Sequence, residues 1–281
     1  MTSNDILEDH SDEAIISGIE GNLLTLIDED MSHVPEPYKP QIDKREDMVR
    51  YYTGIMFPVE NGVYVLSVPP NELESRVDEQ IEFFRSRKVP HMWWISASSS
   101  PPEIENLLIE NGLVKGEWDS PAMAMDLRRL DETHISDLMS RSGATVTKVT
   151  TDTKFEEWME VFRGTSGWTE EACSAYQKSC KRLLTDTEYS NVILAEIDDE
   201  PVGASLSVLR NGVVGLYSVG TMEKHRGKGI GSLVSLAAIM DGQRKGYEIA
   251  TLCSTEMGMK VYPRLGFKEY FRYKFYIDML E

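Results

Sequence analysis

A glycine-rich loop with three basic residues is the segment of this sequence whose composition points most directly to chemistry. It reads Gly-Thr-Met-Glu-Lys-His-Arg-Gly-Lys-Gly-Ile-Gly-Ser from Gly220 to Ser232. Glycines at alternate positions allow a tight turn and leave backbone N–H groups accessible, and N–H groups at the start of a helix attract anions. Lys224, Arg226 and Lys228 add positive charge to an acidic chain. We therefore expect a polyphosphate to bind here.

The loop departs from two widespread phosphate-binding patterns. A Walker A loop needs Gly-x-x-x-x-Gly-Lys followed by Ser or Thr, which this stretch does not supply. A dinucleotide fingerprint, Gly-x-Gly-x-x-Gly, would begin at Gly227 and require glycine where Ser232 stands. The pattern that remains is Arg-x-x-Gly-x-Gly, from Arg226 to Gly231. On this pattern alone, a loop that only packs a helix against a strand stays an alternative.

Two further segments resemble one family. The Arg-x-x-Gly-x-Gly pattern is similar to the coenzyme A loop of the GNAT superfamily of N-acetyltransferases. Residues 261–267, Val-Tyr-Pro-Arg-Leu-Gly-Phe, resemble the second signature of that family, a helix that ends in Tyr-x-x-Leu-Gly-Phe, and Thr255–Gly258 before it is also similar. The resemblance covers roughly residues 144–281 and implies that backbone amides of the loop cradle the pyrophosphate of acetyl-CoA.

The resemblance also implies roles for individual residues. The backbone N–H of Val219 would face the acetyl carbonyl, and Tyr262 would protonate the leaving thiolate unless it is simply a core tyrosine. Where many family members carry Asn at the end of the next strand, this chain has Cys253 and Ser254, and Ser254 keeps a hydroxyl for the pantetheine arm. The expected acetyl-CoA contacts are Val219, Gly220, Thr221, Arg226, Gly227, Lys228, Gly229, Ile230, Gly231, Ser232 and Ser254.

No residue stands out as the general base. Tyr217 and Ser218 lie on the strand before the loop, and Glu196 and Glu256 lie near the ends of a strand or helix. Any of them could act through a water, but each is better explained as structural. An acetyl-cysteine route through Cys253 is rejected, because a buried thiol without a partner is usually inert. The expected reaction is therefore direct attack of an amine on the thioester.

Hydrophobic periodicity and turn residues predict the elements that position these residues. The loop is expected to join a strand to the helix Ile230–Lys245, and residues 128–143 read as a polar joint. The predicted helices are Asp12–Met31, Lys44–Met56, Asn71–Arg87, Pro101–Asn111, Lys154–Arg163, Thr169–Leu184, Ile230–Lys245 and Glu256–Leu265. The predicted strands are Gly62–Val68, His91–Ser96, Ala122–Leu127, Ala144–Thr150, Asn191–Ile197, Pro201–Leu209, Val213–Val219, Glu248–Cys253 and Phe267–Ile277.

The element order predicts two related domains in one chain. The fold class is α/β (α+β), a GNAT-type acyl-CoA N-acyltransferase fold with a mixed, mostly antiparallel sheet flanked by helices, in two tandem copies. Residues 144–281 would form the catalytic domain and residues 1–128 a degenerate GNAT-like domain. The N-terminal copy has no Arg-x-x-Gly-x-Gly, and Pro69-Pro70 with Glu72 stands where the loop would be. Two prolines remove two N–H donors, so we expect no CoA there.

The amino-acid composition disfavours several classes of binding partner. The net charge is −18, from 29 basic and 47 acidic residues, which disfavours nucleic acid and anionic membranes. The three cysteines form no pattern typical of a disulfide framework or a zinc site, and no metal is expected. The sequence opens without a leader, and no apolar run approaches membrane-spanning length, so we expect a cytoplasmic protein.

Three function classes remain. An N-acetyltransferase would transfer acetyl from acetyl-CoA to an amine of a small molecule or peptide, and a homodimer is compatible with that activity. A non-catalytic module of the same fold would bind CoA or another ligand without turnover. A dinucleotide-dependent enzyme is disfavoured, because Ser232 breaks the fingerprint and no acidic residue closes strand Glu248–Cys253.

Overall fold

The computed structural model describes residues 6–280, which form eight α-helices and twelve β-strands. The helices are α1 Asp12–Met31, α2 Leu73–Arg87, α3 Ile104–Glu110, α4 Thr133–Ser142, α5 Asp152–Ser166, α6 Glu170–Cys180, α7 Ile230–Arg244 and α8 Tyr262–Leu265. The strands are β1 Gln41–Lys44, β2 Met48–Tyr52, β3 Asn61–Val65, β4 His91–Ile95, β5 Val114–Lys115, β6 Ser120–Asp126, β7 Thr145–Lys148, β8 Ser190–Ile197, β9 Glu200–Arg210, β10 Val213–Thr221, β11 Ile249–Cys253 and β12 Lys268–Asp278.

The chain forms two compact units that are interleaved in sequence. Unit 1 comprises residues up to Leu26, Ala122–Trp168 and Cys180–Tyr270. Unit 2 comprises Ile27–Pro121, Thr169–Ser179 and the residues from Phe271 onward. The Gly220–Ser232 loop and Tyr262 therefore both belong to unit 1.

Unit 1 is built on a sheet in the order β6-β11-β10-β9-β8-β7. Strands β10 and β11 are parallel, and the other neighbours in this sheet are antiparallel. The long central hairpins follow from turn chemistry, because Asp198-Asp199 and Asn211-Gly212 all adopt positive φ angles of 50° to 74°. Two consecutive left-handed residues match the twist of a tight hairpin. This mixed, mostly antiparallel sheet with flanking helices matches the predicted fold class.

Helices cover both faces of the unit 1 sheet. Neighbouring residues of a strand point to opposite faces, and Val214 approaches Gly242 of α7 whereas a Cβ at Gly215 would meet Asn22 of α1. Helix α5 lies on the same face as α1, since the buried Trp158 donates its indole N–H to the Ser205 carbonyl and Thr165 lies against Gly220. The main core of unit 1 lies between the sheet and α7, with Leu216, Leu233, Val234, Ile239 and Leu252 among its buried members.

Unit 2 repeats part of this plan. Its strands follow the order β1-β2-β3-β4-β12, and β5 also pairs with β12. Among the described residues, β3 and β4 are parallel and the other paired strands of this unit are antiparallel. In unit 1 the parallel pair is connected by α7, and in unit 2 the parallel pair is connected by α2. The unit 2 core contains Val63, Val77, Phe84, Trp93 and Leu108. Each unit thus has a strand–helix–strand crossover next to antiparallel strands.

The two units exchange their last strands, so they do not follow the predicted division into 1–128 and 144–281. Strand β6 comes from the first half of the chain, yet its residues 122–126 pair with β11 in unit 1. Strand β12 ends the chain, yet its residues 274–278 pair with β4 in unit 2. The sequence of neither strand specifies its partner: β6 is a buried strand of seven residues and β12 a largely half-buried or exposed strand of eleven. Strand pairing therefore decided the boundary.

Three predicted elements differ from the structure. Residues 44–56 form no helix but contain the end of β1, the turn to β2, β2 itself and the loop after it, and Met48, Val49 and Tyr51 are buried in the sheet. The predicted joint 128–143 contains α4, which buries Leu138 in the unit 1 core. The predicted helix Glu256–Leu265 consists of a 3₁₀ turn at 258–260 and the single turn of α8. Within residues 6–280, no helix has the length and apolar character needed to cross a membrane.

Candidate functional site

Strand β10 leaves its parallel neighbour at a bulge. The register with β11 covers only three pairs and ends at Leu216 and Leu252, although β10 continues to Thr221. On its other side, the register with β9 shifts between Tyr217 and Gly220, so Ser218 and Val219 lie opposite a single β9 residue, and Ser218 has φ 50°. A bulge bends the strand and leaves backbone groups out of the ladder. The backbone of Val219 thus lies where β10 and β11 no longer pair.

The glycine-rich loop follows directly and is open to a ligand. Gly227 and Gly229 have φ of 78° and 85°, left-handed conformations that a side chain would strain. A Cβ built on Gly227 would meet nothing within 4 Å, whereas one on Gly229 would lie 3.2 Å from Leu138. The first intrahelical bond of α7 runs from the Leu233 N–H to the Gly229 carbonyl, 3.0 Å. The three preceding N–H groups of α7 therefore have no carbonyl partner within the helix.

The positive charges of the loop are not equivalent. Arg226 and Lys228 are exposed, and Arg226 makes only a long 3.4 Å contact from Nε to the Thr221 carbonyl. Lys224 instead forms an ion pair with Glu200 and holds the pKa of that carboxyl below its usual range. Two of the three predicted cations thus remain available to a phosphate group, and Lys224 is partly neutralised.

Hydrogen bonds from the sheet fix the position of α7 and hence of the loop. Ser205 Oγ donates to the Val234 carbonyl at 2.8 Å, and Ser207 Oγ donates to the Ala238 carbonyl at 2.8 Å. Asn191 adds a third bond, from Nδ2 to the same Ala238 carbonyl at 3.2 Å. All three polar side chains are buried. Sequence reasoning missed them, and their only signal was polar residues at core positions of apolar strands.

Tyr262 lies at the start of α8, buried against α7. Burial raises its pKa to about 12, and a hydrogen bond with the Ser235 side chain opposes that rise. Ser235 Oγ in turn donates to the Gly231 carbonyl at 2.7 Å, and a Cβ on Gly231 would lie 3.4 Å from Thr221 Oγ1. These contacts place the Tyr262 hydroxyl one helical turn from the loop. The raised pKa makes Tyr262 a weaker acid than the sequence suggested.

Of the two residues that close β11, Ser254 is buried and Cys253 is half-buried. Ser254 is fully buried, and its Oγ donates to the Thr255 carbonyl at 2.9 Å. This bond uses the hydroxyl proton of Ser254, so toward a pantetheine arm its oxygen could act only as an acceptor unless the bond breaks. Burial raises the pKa of the Cys253 thiol to about 12. A thiol of such high pKa supplies almost no thiolate at neutral pH, which argues against an acetyl-cysteine route.

Two of the four candidate bases already bond to other residues in the structure. Glu196 is buried and lies 2.6 Å from Lys154 Nζ. Tyr217 donates its hydroxyl proton to Asn22 Oδ1 at 2.6 Å. Ser218 lies half-buried at the bulge, and Glu256 is exposed. Within residues 6–280, no group of three or more His, Cys, Asp or Glu side chains is arranged to hold a metal ion.

Comparison with known proteins addresses the identity of unit 1. Residues 155–267 match the sequence profile of the Acetyltransferase (GNAT) family. The chain carries a GNAT-family acetyltransferase domain. The match includes the β10 bulge, the glycine-rich loop, α7 and Tyr262. It does not reach β6, the strand that pairs with β11 in unit 1.

Several solved structures share this fold over most of the chain. A GCN5-related N-acetyltransferase from Kribbella flavida has a TM-score of 0.65 at 14% identity, with 96% of each chain covered. A functionally unknown conserved protein from Staphylococcus epidermidis has a TM-score of 0.64 at 11% identity, covering 89% of this chain and 98% of that one. A tandem GNAT protein from the clavulanic acid biosynthesis pathway has a TM-score of 0.59 at 14% identity, covering 98% and 97%. Among curated proteins, no sequence matches significantly.

Proposed function

We propose that this protein is an acetyl-CoA-dependent N-acetyltransferase that transfers the acetyl group to an amine of a small molecule or peptide. The observation that carries the proposal is the course of β10. The strand leaves β11 at the Ser218–Val219 bulge and continues into an open, cationic loop at the start of α7. A thioester and a diphosphate, joined by a flexible arm, are the groups that such a path would accommodate.

The loop fits a diphosphate on physical grounds. The N–H groups of Ile230, Gly231 and Ser232 lie in the first turn of a 15-residue helix, where the helix dipole favours an anion. The exposed Arg226 and Lys228 would add charge-assisted hydrogen bonds. Gly227 leaves room for close approach of the backbone, since a Cβ at that residue would meet nothing within 4 Å.

The chemistry would need few groups from the protein. Acetyl-CoA supplies the activated thioester, and the amine attacks it directly. The Val219 N–H would donate to the acetyl oxygen, a contact that is worth about 2.7–4 kcal/mol where comparable donors have been removed. Tyr262 would protonate the leaving sulfur and then recover a proton from solvent. Water would take up the proton that the amine releases, and neither Glu196 nor Tyr217 is free to do so, since each bonds another residue.

We propose that unit 2 binds no CoA and is a degenerate copy of the same domain. The connection from β3 to α2 corresponds to the loop from β10 to α7, and it contains Pro69 and Pro70. Glu72 precedes α2 and makes no capping bond with its side chain. The missing pair of N–H donors opposes a phosphate there, while the Glu72 carboxylate is paired with Arg76 at 3.0 Å.

A CoA-binding module without turnover is the second candidate. The observation in its favour is the burial of Tyr262, whose pKa of about 12 weakens it as an acid. A stoichiometric assay separates the two candidates: the full chain is incubated with acetyl-CoA and a panel of amines, and free CoA thiol and acetylated amine are both quantified. We expect equal amounts of both products with at least one amine class. Tight CoA binding with no acetylated amine across the panel would support the second candidate and contradict the first.

A further inference from the structure

A cavity lies in unit 1, at the end of the sheet opposite the loop. Its volume is about 470 Å³, within the range of ordinary small-molecule sites. It is formed where β6 ends at Asp126, where β11 begins at Ile249 and where α8 ends at Leu265. The segment before α1 closes another side with His10.

The cavity is distinct from the proposed CoA site. In the parallel pair, β10 and β11 separate after Leu216 and Leu252, at the carboxyl end of β11. The cavity lies at the opposite end, at Ile249. Four residue steps of about 3.3 Å separate Ile249 from Cys253, so the two regions are roughly 13 Å apart along the strand.

Positive charge surrounds the cavity although the chain carries a net charge of −18. Arg128, Arg129 and Lys268 line it together with two histidines and, in residues 6–280, a single carboxylate, that of Asp126. The charge of Arg128 is balanced by two carboxylates, because Arg128 forms ion pairs with Asp126 at 2.8 Å and with Glu248 at 3.5 Å. Within the described residues, Arg129 and Lys268 have no carboxylate partner. Two unpaired cations at the mouth of one cavity favour an anion.

The rest of the lining is apolar and aromatic. Ile15, Met125 and Ile249 are buried and form part of the wall. Tyr270 adds a phenol whose pKa is raised by burial and by Asp12, so its hydroxyl stays protonated and can donate. A ligand that matches both parts of the lining has an anionic group and a compact apolar body.

We propose that this cavity is a second binding site, for a small phosphomonoester or carboxylate that carries a compact apolar group. The anion would lie between Arg129 and Lys268, and the apolar group would contact Met125, Ile249 and Leu265. The site does not depend on the proposed acetyl transfer, because none of its lining residues belongs to the CoA loop.

Calorimetry with three simple probes tests this site in the full chain at low ionic strength. Phenyl phosphate carries both features, inorganic phosphate carries only the anion, and phenol carries only the apolar ring. Every titration is performed with and without saturating CoA. We expect phenyl phosphate to bind one equivalent at least tenfold more tightly than phosphate, phenol to give no measurable heat, and CoA to change the affinity by less than twofold.

Matched double variants locate the binding. Arg129→Gln with Lys268→Gln should weaken phenyl phosphate binding at least tenfold, and both side chains are exposed, so the fold should be retained. Arg141→Gln with Lys39→Gln removes the same charge at exposed residues outside the cavity and should leave the affinity within twofold. Absence of phenyl phosphate binding, displacement by CoA, or equal loss in both double variants would each overturn the proposal.

Discussion

Replacing Tyr262 by phenylalanine separates its proposed acid role from its structural role. The pKa of Tyr262 is raised to about 12, and an ordinary thiol has a pKa of about 8.5. Complete proton transfer to the sulfur is therefore uphill by about 3.5 pH units, or roughly 5 kcal/mol at 1.36 kcal/mol per unit. General acids typically contribute about 10²–10⁴-fold. Because this acid is weak, we expect Tyr262→Phe to lower kcat by only about tenfold.

The same substitution should affect binding and stability little. The phenyl ring still packs against Phe267 at a ring-centroid distance of 5.6 Å, so the Kd for acetyl-CoA should stay within twofold. Loss of the hydrogen bond with Ser235 costs about 0.5–1.5 kcal/mol, which corresponds to a fall in Tm of about 2–6 °C.

Tyr247→Phe is the matched control for Tyr262→Phe. Tyr247 is also 8% exposed and also belongs to the unit 1 core, but it precedes the amino end of β11. We expect it to leave kcat unchanged. The measurement is kcat, Kd and Tm of both variants side by side. If Tyr262→Phe leaves kcat unchanged, or if kcat falls equally in both variants, Tyr262 is not the acid.

Two further predictions concern stability. Asn22→Ala should lower the free energy of unfolding by about 2–4 kcal/mol in urea titrations, because buried Asn22 donates to carbonyls of the β9–β10 hairpin and accepts from the Tyr217 hydroxyl. The control Thr25→Ala removes an exposed hydrogen bond and should lower the free energy of unfolding by less than about 1 kcal/mol. Equal losses in the two variants would refute the structural role of Asn22. Burial, with Asp30 nearby, raises the pKa of Glu60 to about 7, so the folded state binds its proton more tightly and stability falls as pH rises from about 4.5 to 7. Glu60→Gln should therefore raise Tm at pH 8 but not at pH 4.5, whereas the control Glu46→Gln, at an exposed residue, should raise Tm at neither pH. If Glu60→Gln and the wild type have the same Tm at pH 8, the raised pKa of Glu60 is refuted.

The local features of the candidate site were predictable from sequence. Asn211-Gly212 and Asp198-Asp199 specify tight hairpins by their own backbone preferences, and these turns define β8, β9 and β10. The loop and the start of α7 follow from glycine spacing and a helical apolar face. The predicted helix Asp12–Met31 agrees with α1 in both bounds. In each case, the interactions that decide the structure are close in sequence.

The remaining features depend on partners that are distant in sequence. Strand β6 pairs with β11, more than a hundred residues later, and β12 pairs with β4, so the exchange of strands is set by tertiary pairing. Asn22 looks like an interruption of an apolar helix face until its partners on β9 and β10 are known. Burial of Tyr262 and its raised pKa likewise arise from packing against α7.

The central claim is that CoA binds at the loop before α7, and calorimetry on matched glycine variants tests it most directly. Gly227 and Gly143 have φ of 78° and 69°, and a Cβ at either residue would meet nothing within 4 Å. Aspartate therefore introduces similar backbone strain and the same charge at both, but only Gly227→Asp places that charge at the proposed diphosphate. We predict one CoA per chain for the wild type, retention of binding by Gly143→Asp, and a loss of at least a hundredfold for Gly227→Asp. Equal affinities for the two variants would contradict the account.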